Sequence, residues 1–329
     1  MPDRFRFTPY TPDDAPRWNA LVARSPNATF LFDRGFMDYH ADRFADASVL
    51  VWRGERLVAL LPAHREGDRL ASHGGLSYGG LVVAAPLGAH ATLGLMQGLL
   101  AWLAGQGVRS LLYKTVPHLY HQLPCEDDRY ALYRLGAELV RRDVLSAIGP
   151  QPAHWPAARR RQITGAMRAR QDLELVEHAG CRDDAAAADW ATYWALLADE
   201  LAARHESAPA HQLAEITLLA ARFAGQIRLH LARCGPQVLA GLVLFDTATV
   251  RHVQYMAASP EARRCAALDR LAEAAIAQAQ AAGRWFDFGH SNEDQGRVLN
   301  SGLAFYKESH GASAVVHDHY LLRCPAGPA

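Results

Sequence analysis

Residues 227–245 read IRLHLARCGPQVLAGLVLF, two apolar runs on either side of Gly235 and Pro236. Apolar runs separated by a short turn-forming pair are typical of a β-hairpin. Further along, residues 268–282 repeat apolar side chains at the helical period and end at Gly283, before the short apolar run of another strand. A hairpin followed by a helix and a strand predicts an α/β unit with a mixed sheet.

The same order of elements occurs earlier in the chain, which indicates an internal repeat. Residues 49–63 (VLVWRGERLVALLPA) have a hairpin pattern around Gly54, and residues 93–114 read as a helix, a stop at Gly107 and a strand. The two hairpin glycines and the two helix-ending glycines are separated by nearly one interval, about 180 residues, as a duplicated unit requires. A chance similarity of generic α/β pieces is the alternative.

The chain of 329 residues suits two domains. Residues 148–156 (IGPQPAHWP) contain three prolines and a glycine, which interrupt helices and strands. We therefore predict an N-terminal domain over residues 1–150 and a C-terminal domain over residues 151–329. Within the second domain, beyond its hairpin, the patterns predict strands at 172–178, 249–258, 284–289 and 313–323, and helices at 157–170, 185–203, 211–224, 260–282 and 296–309.

Composition excludes several classes of protein. Acidic and basic residues balance at 34 each, which argues against a general nucleic-acid binder and against a surface built for anionic membranes. There is no apolar run long enough to span a bilayer and no signal-peptide pattern at the N-terminus. The five cysteines show no C-x-x-C spacing, which disfavours a disulfide framework or a structural zinc site. We expect a reduced, cytoplasmic protein without membrane or nucleic-acid partners.

Residues 250–267 (VRHVQYMAASPEARRCAA) carry the first candidate binding site. A strand leads into a helix in which Ser259 suits the N-cap and Pro260 the first turn. Arg263 and Arg264 lie near that N-terminus, where free amides and the helix dipole attract anions. The segment can therefore hold a pyrophosphate, although most strand–turn–helix units bind nothing.

Residues 302–316 (GLAFYKESHGASAVV) form a helix–strand pattern in which an aromatic–Tyr pair precedes a glycine. This resembles the late helix and strand of the GCN5-related N-acetyltransferase (GNAT) superfamily. The resemblance implies acyl-CoA as co-substrate, with its pyrophosphate at the 250–282 segment. The usual glycine pattern of that loop is degenerate here, because Cys265, Ala266 and Ala267 stand in its glycine-rich part.

Further segments extend the resemblance to nearly the whole chain: SHGGLSYGG (72–80), YKTVPHLYHQLPCEDDRYAL (113–132), HESAPAHQLAEI (205–216) and FDFGHSNEDQGRVLNSGLAFYKESHGA (286–312). Together they look like two-domain GNAT-like proteins related to the Fem peptide ligases. Some of these resemble enzymes that acylate an amino sugar on a nucleotide diphosphate. The resemblance implies tandem GNAT-like α/β domains, each a mixed sheet flanked by helices, with the acyl group in the second domain and the sugar in the cleft between domains.

Small molecules are thus the expected partners, and a homodimer is one option for assembly. A Fem-type ligase that uses aminoacyl-tRNA and a non-catalytic GNAT-like binding protein are the alternatives.

Three residues are the candidate catalytic groups. By the resemblance, Tyr306 protonates the leaving thiolate; the alternative is a packed helix tyrosine. His211, before a helix and one turn from Glu215, could be the base, or could face water. Asp287, between two phenylalanines on a buried strand, could be the base, bind the amine or cap a loop. Transfer through water without a dedicated base also stays open.

The binding candidates fall into two groups. Those for acyl-CoA are Tyr255, Met256, Ala257, Arg263, Arg264, Cys265, Ala266, Ala267 and Lys307. Those for the acceptor, around the glycine-rich 72–80 segment and two polar–aromatic segments, are His73, Tyr78, Lys114, His118, Tyr120, His205 and Asn292. Lys114 and Lys307 are the only lysines in the sequence. Either the genome favours arginine, or a compact ammonium is required at these two positions.

Two histidine pairs and one arginine run remain open to interpretation. The pairs His118/His121 and His317/His319 have spacings that metal ligands adopt, but no carboxylate or cysteine pattern completes either set, so we predict no metal. Arg159 to Arg161, with Arg168 and Arg170, could be a solvated helix face, a phosphate clamp or a contact for a tRNA acceptor stem.

Overall fold

The computed structural model describes residues 5–151, 173–205 and 207–325. The chain divides into two compact units. The first comprises residues 1–143, 292–298 and 316–329, and the second comprises residues 144–291 and 299–315. The predicted arginine-rich helix at 157–170, with its five arginines, lies outside the described residues.

The described chain contains both strands and helices throughout its length. The strands are β1 (Phe5–Pro9), β2 (Val49–Arg53), β3 (Arg56–Leu61), β4 (His64–Glu66), β5 (Arg69–Ala71), β6 (Val82–Val83), β7 (Ser110–Lys114), β8 (Glu138–Ile148), β9 (Leu173–Ala179), β10 (Ile227–Cys234), β11 (Gln237–Asp246), β12 (Val250–Ala258), β13 (Trp285–His290), β14 (Asn292–Glu293), β15 (Val298–Leu299) and β16 (Ser313–Arg323). The α-helices are α1 (Ala15–Val22), α2 (Arg34–Met37), α3 (Ala89–Gly105), α4 (Asp127–Arg134), α5 (Asp184–His205), α6 (Leu213–Arg222), α7 (Pro260–Arg264), α8 (Ala267–Ala281) and α9 (Ser301–Ser309).

The first unit contains one four-stranded sheet and strands of a second, larger sheet. One has the order β1-β2-β3-β6, and in it the predicted hairpin of β2 and β3 turns at Gly54, whose φ is 60°. In the other, β5 pairs in parallel with β7, β7 pairs antiparallel with β16, and β16 lies beside β8. Leu99 of α3, Leu111 of β7 and Val51 of β2 belong to one buried apolar cluster. The apolar face of α3 therefore packs against the strands.

The second unit is built on strands in the order β9-β10-β11-β12-β13. Its hairpin of β10 and β11 turns at Gly235, as predicted, and β12 pairs in parallel with β13. The end of β8, from Leu145 to Ile148, pairs antiparallel with β13. Leu271 and Ile276 of α8 pack in one buried cluster with Leu242 of β11. Mixed strand directions with helices on the sheet confirm the predicted α/β class.

Two predicted helices differ from those in the structure. The helix predicted over 260–282 is broken into α7 and α8 at Cys265 and Ala266, because Ala266 adopts a left-handed conformation with φ 50°. The helix predicted over 296–309 begins only at Ser301, where the Asn300 side chain accepts a hydrogen bond from Leu303 N at 3.0 Å and caps the helix.

The unit boundaries also differ from a linear division at residue 150. Residues from 316 onward belong to the first unit, because β16 pairs with β7 from His319↔Lys114 to Arg323↔Ser110. A strand that returns from the end of the chain to an earlier strand leaves no local signal in the sequence. In residues 5–151, 173–205 and 207–325, no helix combines the length and apolar character that crossing a bilayer requires.

Candidate active site

The parallel ladder between β12 and β13 ends early. Its register pairs run from Val250↔Trp285 to His252↔Asp287, while β12 continues along β11 as far as Ala258↔Ala240. In the described part of the chain, β12 therefore has no strand partner on its β13 side beyond His252. Backbone groups on such an edge can bind an extended molecule laid between two diverging strands.

His252 and Asp287 form a hydrogen-bonded pair at the last rung of this ladder. The His252 Nδ1 lies 3.0 Å from the Asp287 Oδ2, and the other carboxylate oxygen accepts a hydrogen bond from Gly289 N at 2.8 Å. Asp287 is fully buried, whereas the His252 side chain is 17% exposed. A carboxylate on Nδ1 favours the tautomer with the proton there, so the lone pair lies on Nε2. This is the arrangement of a general base with a positioning carboxylate.

His252 is the residue that sequence reasoning missed. A histidine inside a strand belongs to no local motif, and its carboxylate partner lies 35 residues further along the chain. The sequence signal for this pair is Asp287 itself, a polar residue flanked by Phe286 and Phe288. Asp287 also accepts a hydrogen bond from Gly289 N, as the predicted capping of a loop requires, and its role as base or amine-binding group stays a prediction.

The side chain of Lys307 is hydrogen-bonded to the C-terminal end of β13. The residue is 1% exposed, and its ammonium donates to the carbonyl oxygens of Gly289 at 2.9 Å and His290 at 2.7 Å. Burial lowers the pKa of Lys307 to about 8, although the Asp287 carboxylate acts in the opposite direction. In this structure the lysine expected to contact acyl-CoA donates to strand carbonyls next to the candidate base.

Gly289 accounts for the close packing at this point. Its φ is 74°, and a Cβ built on it would lie 3.2 Å from His252 Cε1. A side chain at this position would both strain the backbone and press on the imidazole. The Lys307–Gly289–Asp287–His252 chain of contacts therefore fixes where the imidazole sits.

Tyr306 lies on α9 with its ring packed against aromatic neighbours. Its ring centroid is 6.3 Å from that of Phe288 and 4.6 Å from that of His310. The hydroxyl oxygen is buried. The ring therefore packs against β13. Because the hydroxyl is buried, a leaving thiolate would have to approach it between packed side chains. The role of Tyr306 as general acid stays a prediction.

His211 is buried rather than facing water. It is 8% exposed, and its Nδ1 lies 2.6 Å from the hydroxyl oxygen of Tyr255 on β12. Glu215 accepts a hydrogen bond from Gln212 N at 2.7 Å and completes a capping box at the start of α6. Burial raises the pKa of Tyr255, and hydrogen bonding to the His211 amide opposes that rise. His211, before α6, and Tyr255, on β12, thus form a second polar pair, and the role of His211 as a base stays a prediction.

The segment between β12 and α8 has the geometry of an anion-binding loop. Ser259 Oγ accepts from Ala262 N at 3.2 Å and Pro260 opens α7, which confirms the predicted N-cap. After the break, α8 begins at Ala267 with Ala266 as its N-cap. The first amides of this 15-residue helix point out of its N-terminus and favour an anion there.

The remaining acyl-CoA candidates differ in accessibility. Arg263 and Arg264 are both exposed, and Arg263 is paired with Glu200 at 3.1 Å. The Cys265 thiol is buried and lies 3.5 Å from the Ala262 carbonyl oxygen, so it packs inside the turn. Ala257 is buried and Met256 is half-buried on β12.

The acceptor candidates of the first unit are mostly buried. The rings of Tyr78 and Tyr120 pack at a tilt of 44° with centroids 4.6 Å apart, and the Tyr78 hydroxyl lies 2.9 Å from Thr29 Oγ1. Burial, helped by the nearby His40 and His64, lowers the pKa of His73 to about 3, so its imidazole is neutral. All three side chains are buried, and their role in binding an acceptor stays a prediction.

The other acceptor candidates are scattered. Lys114 donates to the Leu76 carbonyl oxygen at 2.6 Å, and burial together with the Arg141 charge lowers its pKa to about 8. His118 is exposed. Asn292 donates to the Gly296 carbonyl oxygen at 3.4 Å. His205 is the last residue of α5, and its side chain lies outside the described part of the structure.

Comparison with known proteins identifies the domain that contains this site. Residues 157–307 match the family model of the acetyltransferase (GNAT) domain. No curated protein matches the sequence. The fold is similar to that of FemX, with a TM-score of 0.64 at 12% identity over 95% of this chain and 96% of that chain.

Two further solved structures share the fold. L-PGS from Bacillus licheniformis has a TM-score of 0.59 at 10% identity, over 97% of this chain and 93% of that chain. A tandem GNAT protein from the clavulanic acid biosynthesis pathway has a TM-score of 0.51 at 14% identity, over 99% of this chain and all of that chain (100%). The predicted GNAT-like fold and the prediction of a GNAT-type transferase are confirmed.

Proposed function

We propose that this chain, which carries a GNAT acetyltransferase domain, transfers an acyl group from acyl-CoA to the amine of a nucleotide-linked amino sugar, as in the synthesis of O-antigen or other surface polysaccharide precursors. The observation that carries the acyl-transfer step is the His252–Asp287 pair at the last rung of the β12–β13 ladder. It puts a basic nitrogen beside a strand edge that a thioester can occupy.

The acyl-CoA would lie along β12 with its pyrophosphate at the start of α8. Two features support this: the strand edge beyond His252 and the N-terminus of a long helix preceded by Arg264. Helix N-termini bind phosphate through free amides and the helix dipole. A backbone N–H between Val253 and Ala258 would then stabilise the oxyanion of the tetrahedral intermediate.

The reaction has three steps: deprotonation of the acceptor, attack on the thioester, and collapse of the tetrahedral intermediate. The acceptor arrives as an ammonium and gives a proton to His252 Nε2, which leaves a free amine. The amine nitrogen attacks the thioester carbon, and the carbonyl electron pair moves to oxygen. The intermediate collapses as the C–S bond breaks, and the CoA thiolate takes a proton from the Tyr306 phenol. The second proton of the nitrogen passes through water to the Tyr306 phenolate, and His252 gives its proton to solvent. The products are an amide and free CoA.

The amino-sugar acceptor is supported by sequence resemblance. The segments 72–80, 113–132, 205–216 and 286–312 look like those of nucleotide-sugar N-acyltransferases. The equal numbers of acidic and basic residues, 34 of each, fit a small acceptor better than a tRNA, whose phosphates attract strongly basic proteins. A Fem-type ligase that uses aminoacyl-tRNA is the competing assignment.

One experiment separates these assignments. The protein is incubated with acetyl-CoA or 3-hydroxybutyryl-CoA and a panel of nucleotide-linked amino sugars, and mass spectrometry and free-thiol release record the acylated product. We expect an amide product and one thiol per amide. Product only from aminoacyl-tRNA, or from acyl-CoA with acceptors other than amino sugars, would contradict the proposed substrates.

The binding of acyl-CoA and the general-acid role of Tyr306 are tested in two separate experiments. An acyl-CoA at about 100 times its Kd should stabilise the protein by about 2.7 kcal/mol, so an unchanged melting temperature with every acyl-CoA would favour a non-catalytic protein. Undiminished activity of Tyr306→Phe would remove Tyr306 from the mechanism.

A further inference from the structure

Three potential metal ligands converge in the first unit. His317 and His319 lie two residues apart on β16 and share one face of the sheet, and Asp143 lies on the neighbouring strand β8. One ligand atom of each residue lies within 4.8 Å of those of the other two. All three side chains are buried, at 5%, 8% and 2% exposure for His317, His319 and Asp143.

The Nε2 of His319 is buried without a hydrogen-bond partner among the described residues. The Asp143 Oδ2 lies 3.9 Å from this nitrogen. A buried polar atom without a partner is destabilising and uncommon. Two ligand atoms on one tetrahedral zinc ion, each about 2.0 Å from it, are about 3.3 Å apart. A small movement would therefore bring both atoms onto one ion.

Both imidazoles are in the neutral form that metal binding requires. Burial is the main cause that lowers the pKa of His317 to about 4 and that of His319 to about 3, and the nearby Lys114 charge adds to it. The His317 Nε2 lies 2.9 Å from the Thr115 carbonyl oxygen. Donation to that oxygen leaves a lone pair on Nδ1, and such a hydrogen bond orients the imidazole of a metal ligand.

Two cations lie close to this group of ligands. Arg141 holds the Asp143 carboxylate through Nε at 2.9 Å and a terminal nitrogen at 2.8 Å, as a guanidinium can while the carboxylate keeps lone pairs for a metal. Lys114 is the register partner of His319 on β7. Its ammonium opposes a divalent ion, so its charge should weaken the affinity of the site without removing a ligand.

We propose that Asp143, His317 and His319 bind a divalent transition metal ion with two imidazole nitrogens and one carboxylate oxygen, zinc being the ion that best suits this ligand set. The sequence predicted no metal because the carboxylate lies on a strand far from the histidines in the chain. Three protein ligands leave at least one position for water or a further ligand. The site is independent of the proposed acyl transfer.

The test uses the full chain stripped of metal by chelator dialysis and then titrated with Zn²⁺ by calorimetry. We expect one zinc ion per chain and a rise in melting temperature, since an ion that binds the folded state stabilises it. His319→Ala and Asp143→Asn should weaken binding by more than about 100-fold, because losing even an outer partner of a ligand costs 10–100-fold. Lys114→Met should bind zinc more tightly than the wild type.

His178→Ala is the matched control, because His178 also pairs with an aspartate, Asp189, at 2.6 Å, and it should bind zinc like the wild type. X-ray absorption of the zinc-loaded wild type needs no variant and should show nitrogen and oxygen ligands. No stoichiometric zinc, sulfur ligands from cysteines, or equal binding by the wild type and the Asp143 and His319 variants would overturn the proposal.

Discussion

The imidazole of His252 and the carboxylate of Asp287 face each other across the last rung of a parallel ladder, with Nδ1 and Oδ2 3.0 Å apart. The aspartate is fully buried and is also held by the amide of Gly289, so it has little freedom to turn away. The histidine is more exposed than its partner. The pair is thus anchored through its buried aspartate, and its histidine keeps some exposure at the rung where the β12–β13 ladder ends.

Replacing the imidazole should remove the base without changing the fold. We expect His252→Ala to lower kcat/KM for the amine acceptor by about 10²- to 10⁴-fold, the usual range for general acid–base catalysis. The matched control is His178→Ala, whose side chain is also 17% exposed and also paired with an aspartate. If both variants keep the wild-type rate in a thiol-release assay, His252 is not the base.

Asp287→Asn tests positioning rather than proton transfer. The amide keeps the size of the side chain but removes the carboxylate that holds the proton on Nδ1. We expect kcat to fall by about 10²-fold with KM for acyl-CoA unchanged, because the strand edge and the helix N-terminus remain. Combining Asp287→Asn with His252→Ala should give no further loss beyond that of His252→Ala. A fully additive loss would show that the two residues act separately.

Ala266→Gly should stabilise the protein, because Ala266 has a left-handed conformation with φ 50° that costs an L-residue about 1–2 kcal/mol. Part of this gain is offset by the flexibility of glycine in the unfolded chain, so we expect a net increase of roughly 0.5–1 kcal/mol in the free energy of unfolding. The control Ala277→Gly, at an exposed position inside α8, should lose about 1 kcal/mol. Urea denaturation measures both, and a loss in Ala266→Gly would contradict the strain assigned to the loop.

Lys307 should make stability depend on pH. Its pKa is about 8 in the folded protein and 10.5 as the ordinary value, so between these values the unfolded chain binds more protons than the folded one. Stability from this group therefore rises as pH increases from about 8 towards 10, and it is lost as pH falls through 8. We expect the wild type to gain stability over this interval relative to Lys307→Met.

Two comparisons make the Lys307 prediction specific. At pH 7, Lys307→Met should unfold about 1–3 kcal/mol more easily, because the carbonyls of Gly289 and His290 lose their donor. The control Arg182→Met removes an exposed cation and should follow the wild-type pH curve. Parallel curves for the wild type and Lys307→Met would show that the ammonium is not desolvated.

Local patterns determined much of the fold. The hairpins at Gly54 and Gly235, the ends of α3 and α8, and the N-cap at Ser259 all follow from residues within one or two turns of each other. The same kind of signal failed at Ala266, where an alanine takes the conformation that glycine normally marks. Alanine has high helix propensity, so the sequence favoured one continuous helix where the chain breaks.

The sequence by itself determined the repeated α/β unit, its family resemblance and the buried polar position of Asp287. Only the tertiary structure decided what these residues face: it brings His252 to Asp287, joins Asp143 to His317 and His319, and turns the Lys307 ammonium to the carbonyls of β13. Periodicity specifies which face of an element is buried, because that depends on neighbours along the chain. Which side chains meet across strands depends on sheet order and register, and these are fixed by the packing of the whole unit.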